Sequence, residues 1–185
     1  KDKIQVVGIN DLGSIETNAH LIKYDSTHGT LSHDVSTSKD GFKILNQNIK
    51  VFAERDPANL PWSKVGADVV LECTGLFLNK ETAGKHLKAG AKKVIVSAPA
   101  KDVDFTIVQG VNSKDLKKEH NVISNGSCTT NCLAPVAMVL ENNFGIEYGY
   151  MTTIHSYTGD QKLLDTLHKD LRRARATEGA MIPTS

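Results

Sequence analysis

The chain has 185 residues, of which 39% are hydrophobic and 23% charged, and its formal net charge is +1. This balance gives no electrostatic case for a nucleic-acid or anionic-membrane partner, and no apolar run is long enough to span a bilayer. Three cysteines are too few for a secreted disulfide scaffold, so we expect a reducing, cytoplasmic location. The chain starts at Lys1 without a methionine and stops without a tail-like composition, so we expect a fragment.

The first two thirds of the chain predict strands that alternate with helices. A buried strand over residues 4–9 ends at Asn10 and Asp11, and a helix follows over 15–24. The next predicted elements are hairpin strands 42–45 and 49–52 joined by residues 46–48, strand 69–73, helix 80–89 stopped by Gly90, and strands 94–96, 105–108 and 121–124. Apolar strands in such alternation predict a parallel sheet covered on both faces.

The pattern changes near Asn125, where we place a domain boundary. A helix to about residue 143 is followed by an alternating stretch at 148–155, which is typical of an antiparallel strand of a second domain. Residues 162–175 are polar and basic and predict a short helix with an exposed loop.

The segment SNGSCTTNC (124–132) places Cys128 where a strand gives way to a helix. Ser127 and Thr129 are good helix N-cap types, so Cys128 is expected in or beside the first helical turn. The unpaired N–H groups and the dipole at a helix start favour negative charge, and the thiolate is the nucleophilic form of cysteine. Cys128 is therefore a candidate nucleophile.

A nucleophilic thiol needs a base, and His155 is the best candidate because it ends the predicted strand at 148–155. Cys128 and Cys132 lie one helical turn apart, but without a second ligand pair this spacing is a weak metal or redox signal, so we expect no metal site. We interpret Cys132 as a buried small hydrophobe and Cys73 as structural. The arginines of residues 172–175 are too few for a nucleic-acid patch, and we interpret them as a solvated loop or subunit contact.

Several polar residues follow predicted strands, where doubly wound sheets bind ligands. Asp11 has the position of a ribose-binding acid if residues 4–9 form the second strand of such a sheet. Residues 8–13 are not the glycine fingerprint, because Asn10 replaces the middle glycine, so that fingerprint should precede residue 1. Thr74 with Gly75, and Ser97, also follow strands, although each alone is typical of a plain turn.

Several segments together resemble the glyceraldehyde-3-phosphate dehydrogenase family along the whole chain. The most specific is SNGSCTTNCLAPV (124–136), which resembles the active-site signature of that family. The others are KYDSTHG (23–29), RDPANLPW (55–62), ECTGLF (72–77), TTIHSYT (152–158) and HKDLRRAR (168–175). The resemblance implies a Rossmann-type doubly wound parallel sheet lacking its first strand, followed by the start of an α+β catalytic domain with an antiparallel sheet. The implied domains are residues 1–125, which bind NAD, and residues 126–185.

The resemblance also implies the chemistry. Cys128 attacks the aldehyde of glyceraldehyde 3-phosphate to give a hemithioacetal, His155 takes the hydroxyl proton, and hydride passes to NAD. Inorganic phosphate then cleaves the thioester to 1,3-bisphosphoglycerate. The phosphate-binding residues implied are Ser127, Thr129 and Thr158, and the cofactor-binding positions are Asn10, Asp11, Arg55 and Ser97. The loop up to Arg175 resembles one that lines a neighbouring subunit's cofactor site in a homotetramer.

Three departures from the family pattern stand out. Gly126 replaces a usual alanine, Glu178 lies in a stretch commonly rich in Ala or Ser, and Thr166-Leu167 replaces the Leu-Pro pair of NAD-specific members. NADP therefore stays open as a cofactor, although Asp11 favours NAD because a carboxylate repels a 2′-phosphate.

The alternatives are an erythrose-4-phosphate dehydrogenase, a Cys–His hydrolase or acyltransferase without nicotinamide, and a non-catalytic binding protein. We expect the 185-residue chain alone to have little or no activity, because the first strand and its glycines would be missing.

Overall fold

The computed structural model describes residues 4–179 and 181–183, and it divides into two compact units, Lys1–Ser127 and Cys128–Ser185. The strands of the first unit are β1 (Gly8–Asn10), β2 (Tyr24–Asp25), β3 (Gly29–Thr30), β4 (Val35–Ser38), β5 (Gly41–Ile44), β6 (Gln47–Phe52), β7 (Val69–Glu72), β8 (Lys93–Val96), β9 (Phe105–Thr106) and β10 (Val122–Ser124). Its α-helices are α1 (Ile15–Lys23), α2 (Trp62–Val65), α3 (Lys80–Ala83) and α4 (Lys85–Lys88).

Two four-stranded sheets carry the first unit. One has the order β7-β8-β10-β9 and is parallel throughout, whereas the other has the order β1-β6-β5-β4 and combines one parallel pair with two antiparallel pairs. Strands β2 and β3 form a separate antiparallel ribbon. The predicted α/β class with a parallel sheet is confirmed, and the architecture is consistent with a Rossmann-type fold.

Buried apolar side chains explain the pairing of these strands. Val94 and Val96 of β8 and Val122 of β10 are at most 1% exposed and pack with Ala83 of α3 in one cluster. The other face of the sheet is more open, since Val69 and Leu71 of β7 are 49% and 66% exposed. The parallel sheet therefore has a buried core on one face, and the prediction that both faces are covered is wrong at β7.

The predicted hairpin forms, but its turn is shorter than predicted. Ile44 pairs with Gln47, so only Leu45 and Asn46 connect β5 to β6. The cross-strand neighbours Phe42 and Ile49 are both buried, and a slip of one residue would turn them to the opposite face of the sheet. The burial of Phe42 and Ile49 therefore determines the register of the hairpin, although the polar residues 46–48 predict a longer turn.

The predicted helix over residues 80–89 is divided into α3 and α4 at Gly84. Gly84 has ψ of −12°, which departs from the helical value and closes a tight turn. Gly90 then follows α4 with φ of +107°, as predicted for a stop signal.

Asp104 connects this region to β10. Its Oδ2 accepts the N–H groups of Asn121 and Val122 at 2.8 and 2.9 Å, and its Oδ1 lies 2.5 Å from Lys80 Nζ. The bond from Lys80 and the backbone N–H donors outweigh burial and lower the pKa of Asp104 to about 2. The carboxylate thus stays ionised across the neutral range.

The described residues of the second unit form one long helix, α5 (Cys128–Phe144), and two short 3-10 turns, Leu171–Arg173 and Thr177–Gly179. The strand predicted at 148–155 does not form within the described residues, and Tyr150 and Ile154 are fully exposed. An alternating sequence specifies which side chains of a strand would be buried. A strand also needs a neighbouring strand to accept and donate its backbone hydrogen bonds, and the described residues of this unit supply none. Within the described ranges, no helix is both long and apolar enough to cross a bilayer.

Candidate active site

Cys128 is the first residue of α5, as the sequence predicts. Strand β10 ends at the buried Ser124, whose hydroxyl donates to the Ala98 carbonyl at 2.8 Å and accepts the Gly126 N–H at 3.0 Å. Gly126 has φ of +67°, a conformation that glycine adopts without steric cost. The departure from alanine at this position therefore suits the turn that leads into the nucleophile.

Cys128 and His155 lie in hydrogen-bond contact, with 3.0 Å between Sγ and Nε2. On the other side of the ring, Nδ1 lies 2.6 Å from the carbonyl oxygen of Ser156. Because a carbonyl can only accept, this contact assigns the proton of a neutral ring to Nδ1. Nε2 is then the basic nitrogen, and it faces the thiol.

This pairing lowers the pKa of Cys128 below its ordinary value. The hydrogen bond with His155 is the largest cause, and together with the N–H and hydroxyl of Thr129 it outweighs the opposing effect of burial. The pKa of His155 is raised, first by the bond to Ser156 and then by Cys128. Both shifts favour a thiolate beside an imidazolium, and the Ser156 carbonyl adds to the effect at His155.

The predicted phosphate-binding residues have different environments. Thr129 contacts Cys128, and Ser127 is half-buried beside it in the chain. Thr158 is exposed, and its backbone N–H and its hydroxyl both donate to Gln161 Oε1, the hydroxyl at 3.2 Å. The structure therefore brings Thr129 to the thiol and gives Thr158 a protein partner.

The first two predicted cofactor residues lie at the end of β1. Asp11 is exposed, and its Oδ1 accepts the Gly13 N–H at 2.7 Å. The amide of Asn10 forms two bonds to the backbone of Glu54, one to its carbonyl and one from its N–H, both at 2.9 Å. Asn10 thus holds the segment that leads to the exposed Arg55.

The other predicted cofactor residues follow β7 and β8. Gly75 has φ of +73°, and a Cβ placed on it would meet no atom within 4 Å, so the turn borders open space. Thr74 and Ser97 are exposed at the carboxyl ends of neighbouring parallel strands. An exposed acid that can accept ribose hydroxyls and an open glycine turn fit a dinucleotide.

Sequence reasoning missed a buried polar group beneath this turn. His86, which the sequence did not single out as a candidate, is 4% exposed and hydrogen-bonded to both Trp62 and Glu72. A signal was present, because Glu72 stands two residues after the buried Val70 on β7. Because side chains two residues apart on a strand lie on the same face, the Glu72 carboxylate is expected on the buried face, where it requires a hydrogen-bond donor.

The interpretation of Cys132 as a buried residue was wrong, whereas that of Cys73 as structural stays a prediction. Cys132 is exposed, because none of the α5 residues is buried, and Cys73 is exposed because it follows the end of β7. Within the described residues, no three His, Cys, Asp or Glu side chains are grouped to hold a metal ion.

The basic loop is largely charge-matched within its own unit. Each of its three arginines lies within 2.8 Å of a carboxylate. The pairs are Arg172–Asp170, Arg173–Asp160 and Arg175–Asp165. These carboxylates reduce the positive potential that a nucleic acid would require.

The fold and the site define a class: an α/β protein of the dinucleotide-binding type in which a thiol at a helix start is paired with an imidazole. Residues 1–80 match the model of the glyceraldehyde 3-phosphate dehydrogenase NAD binding domain, and residues 127–185 match the model of its C-terminal domain. The chain belongs to the glyceraldehyde-3-phosphate dehydrogenase family.

Similar curated proteins carry the same name. Glyceraldehyde-3-phosphate dehydrogenases of Xanthobacter flavus and Zymomonas mobilis are each 58% identical over 98% of this chain and 54% of their own length. That of Geobacillus stearothermophilus is 58% identical over 98% of this chain and 55% of its length. The chain therefore spans about half the length of the curated relatives it matches. The match to the NAD binding domain supports NAD as cofactor, and the relatives do not favour the three alternatives.

Proposed function

We propose that this chain supplies the nucleophile, the base and part of the NAD site of a phosphorylating glyceraldehyde-3-phosphate dehydrogenase. The observation that carries the proposal is the 3.0 Å contact of Cys128 Sγ with His155 Nε2, with Nδ1 of the same ring held by Ser156. An activated thiol with a basic partner is what covalent catalysis on an aldehyde requires.

In the first step, His155 accepts the thiol proton and the Cys128 thiolate attacks the aldehyde carbon of glyceraldehyde 3-phosphate. The new C–S bond leaves an oxyanion, which the Cys128 N–H and the protonated His155 stabilise. Transfer of the His155 proton to this oxygen completes the hemithioacetal and returns the ring to its neutral form.

In the second step, His155 takes the hydroxyl proton while the carbon loses a hydride, and a thioester to Cys128 results. Bound NAD⁺ supplies the hydride acceptor. Inorganic phosphate then attacks the thioester carbon, the C–S bond breaks, and 1,3-bisphosphoglycerate leaves with Cys128 restored as a thiolate.

Two sets of polar residues bind the reactants in this proposal. Ser127, Thr129 and Thr158 hold phosphate groups, and Thr158 exchanges its bond with Gln161 for one to a phosphate oxygen. The cofactor is held by the polar residues that follow the strands of the first unit, namely Asn10, Asp11, Arg55, Thr74, Gly75 and Ser97. The carboxylate of Asp11 favours NAD over NADP, because a 2′-phosphate would place like charges together.

We assign residues 1–125 to the NAD-binding domain and residues 126–185 to the catalytic domain. The matches over 1–80 and 127–185 support this division. We further propose a cytoplasmic homotetramer in which the loop up to Arg175 contributes to a neighbouring subunit's cofactor site.

The test uses a protein that carries this chain within the full length of its relatives, called the full-length protein below. NADH formation is measured with glyceraldehyde 3-phosphate and phosphate, and with erythrose 4-phosphate in parallel. Cys128→Ser should lower the rate about a thousandfold or more, since a hydroxyl is a far weaker nucleophile at neutral pH. Cys132→Ser is the matched control and should retain the rate.

Three outcomes would contradict the proposal. An unchanged rate in Cys128→Ser would remove the covalent step, and a preference for erythrose 4-phosphate would reassign the substrate. Failure of the wild-type protein to bind NAD would favour a hydrolase or acyltransferase.

A further inference from the structure

A chain of three buried side chains runs from α2 to the end of β7. Trp62, His86 and Glu72 are only 3–4% exposed. Trp62 Nε1 lies 3.0 Å from His86 Nδ1, and His86 Nε2 lies 2.8 Å from Glu72 Oε2. These contacts connect three separate elements, because His86 belongs to α4.

The direction of each hydrogen bond follows from the chemistry of Trp62. An indole N–H can only donate, so His86 Nδ1 must accept and carries no proton. The proton of the ring is therefore on Nε2, which donates to Glu72. Trp62 thus fixes the orientation of the His86 ring with Nε2 aimed at Glu72 as a donor.

Glu72 accepts from three donors. Its Oε2 takes the bond from His86, and its Oε1 takes both the N–H of Thr74, at 2.8 Å, and the Thr74 hydroxyl. Burial raises the pKa of Glu72, but the bonds from His86 and Thr74 outweigh it, so the pKa is lowered overall. A buried carboxylate with all these donors remains an ionised acceptor.

The end of this chain lies on the turn to which we assign cofactor binding. The Thr74 hydroxyl that donates to Glu72 also accepts the Leu76 N–H at 3.1 Å, which closes the turn around Gly75. The main-chain carbonyl of Glu72 accepts the Ser97 N–H at 3.0 Å. Glu72 therefore holds the residues that follow β7 with its side chain and those that follow β8 with its backbone.

We propose that Glu72 is a positioning residue for NAD: supported by His86 and Trp62, it holds the Thr74–Gly75 turn in its dinucleotide-binding conformation. The inference rests on the proposed function, because it takes that turn as part of the cofactor site. A carboxylate needed only for packing would not have to reach the exposed turn, whereas two of its three donors come from Thr74.

The first experiment measures the NAD dissociation constant of Glu72→Gln in the full-length protein by equilibrium dialysis, together with the urea midpoint. A glutamine amide cannot accept from both Thr74 and His86 Nε2–H without leaving one donor unpaired. We expect the dissociation constant to rise about tenfold, the loss typical of a hydrogen bond to a charged group. The control is Glu81→Gln, which removes an exposed carboxylate from α3 and should change neither quantity.

Trp62→Phe tests the far end of the chain and keeps the proposal testable if Glu72→Gln does not fold. It retains an aromatic ring but removes the N–H that orients His86, and we expect a two- to threefold weaker NAD affinity. A role confined to stability would lower the urea midpoint and leave the dissociation constant of the folded protein unchanged, which would overturn the inference. If the wild-type protein binds no NAD, the proposed function fails instead.

Discussion

The two units of the chain support their polar chemistry in different ways. In Lys1–Ser127, buried apolar clusters pack against the strands of the two four-stranded sheets, and Glu72, His86 and Ser124 are buried with hydrogen-bond partners. In Cys128–Ser185, none of the described residues is buried. In the first unit, buried polar side chains hold the conformation of exposed turns, whereas in the second unit the reactive side chains are themselves exposed to solvent.

This difference predicts different responses to substitution. Changes in the first unit should act on stability or on the shape of a turn, because buried groups have many neighbours there. Changes at the reactive pair of the second unit should act on chemistry with little effect on stability, since exposed side chains contribute little to the folded state.

The largest expected effect separates chemistry from stability at His155. His155→Asn removes the base, so we expect the steady-state rate of the full-length protein to fall between about a hundredfold and ten thousandfold. The urea midpoint should stay within error of the wild type. A large decrease in the urea midpoint together with the lower rate would contradict the expectation that reactive groups of the second unit contribute little to stability.

The same variant carries a pH signature. The folded-state pKa of Cys128 is lowered mainly by His155, so the thiolate is populated at a lower pH than for an ordinary cysteine. In His155→Asn, the pH midpoint for alkylation of Cys128 by iodoacetamide should move upward toward the ordinary thiol value. Alkylation with an unchanged pH midpoint would show that the contact does not activate the thiol.

A pair of valines provides a second test of the comparison. Val96 in β8 is fully buried, whereas Val139 in α5 is 53% exposed. Val96→Ala should lower the free energy of unfolding by about 2 kcal/mol, through lost burial and a cavity, and Val139→Ala by less than about 0.5 kcal/mol. Urea unfolding monitored by circular dichroism measures both, and equal losses would mean that burial does not distinguish the units.

The sequence predicted elements best where local signals and packing agree. Helix α1 was predicted from its apolar period, and the structure adds Ser14 as its cap, with its hydroxyl accepting the Thr17 N–H at 3.1 Å. The strand at 148–155 was wrongly predicted, because alternation contains no information about a partner strand. Local pattern thus predicts an element only where the tertiary structure supplies its neighbour.

The candidate site likewise contains residues that local sequence predicts and residues that it does not. The position of Cys128 at a helix start follows from the residues around it, and that prediction is confirmed. His86 was missed because its partners, Trp62 and Glu72, lie 24 and 14 residues away and meet it only in the folded sheet. Long-range hydrogen bonds between buried groups produce no periodic pattern in the sequence. The one local indication here is that Val70 and Glu72 lie two residues apart on the same strand.

The smallest expected effect compares two carboxylates of the first unit. Asp104 has a side chain only 15% exposed and accepts from Lys80 and two backbone N–H groups, whereas Asp68 forms an exposed pair with Lys92. Asp104→Asn should lower the free energy of unfolding by about 1–2 kcal/mol, because two N–H donors lose a charged acceptor. Asp68→Asn should change it by less than about 0.5 kcal/mol, as for exposed ion pairs generally.

The stability difference between wild type and Asp104→Asn should depend on pH in a definite direction. The pKa of Asp104 is about 2 in the folded state and 3.8 without the fold, so the native state favours the ionised form. Its stabilising contribution is complete above the unfolded value and is lost as pH falls through 3.8 toward 2. Urea midpoints measured between pH 5 and about pH 2.5 should therefore converge for wild type and Asp104→Asn as the wild-type carboxyl loses its advantage. A difference that stays constant over that range would mean that the Asp104 charge does not stabilise the junction of β9 and β10, and that only packing does.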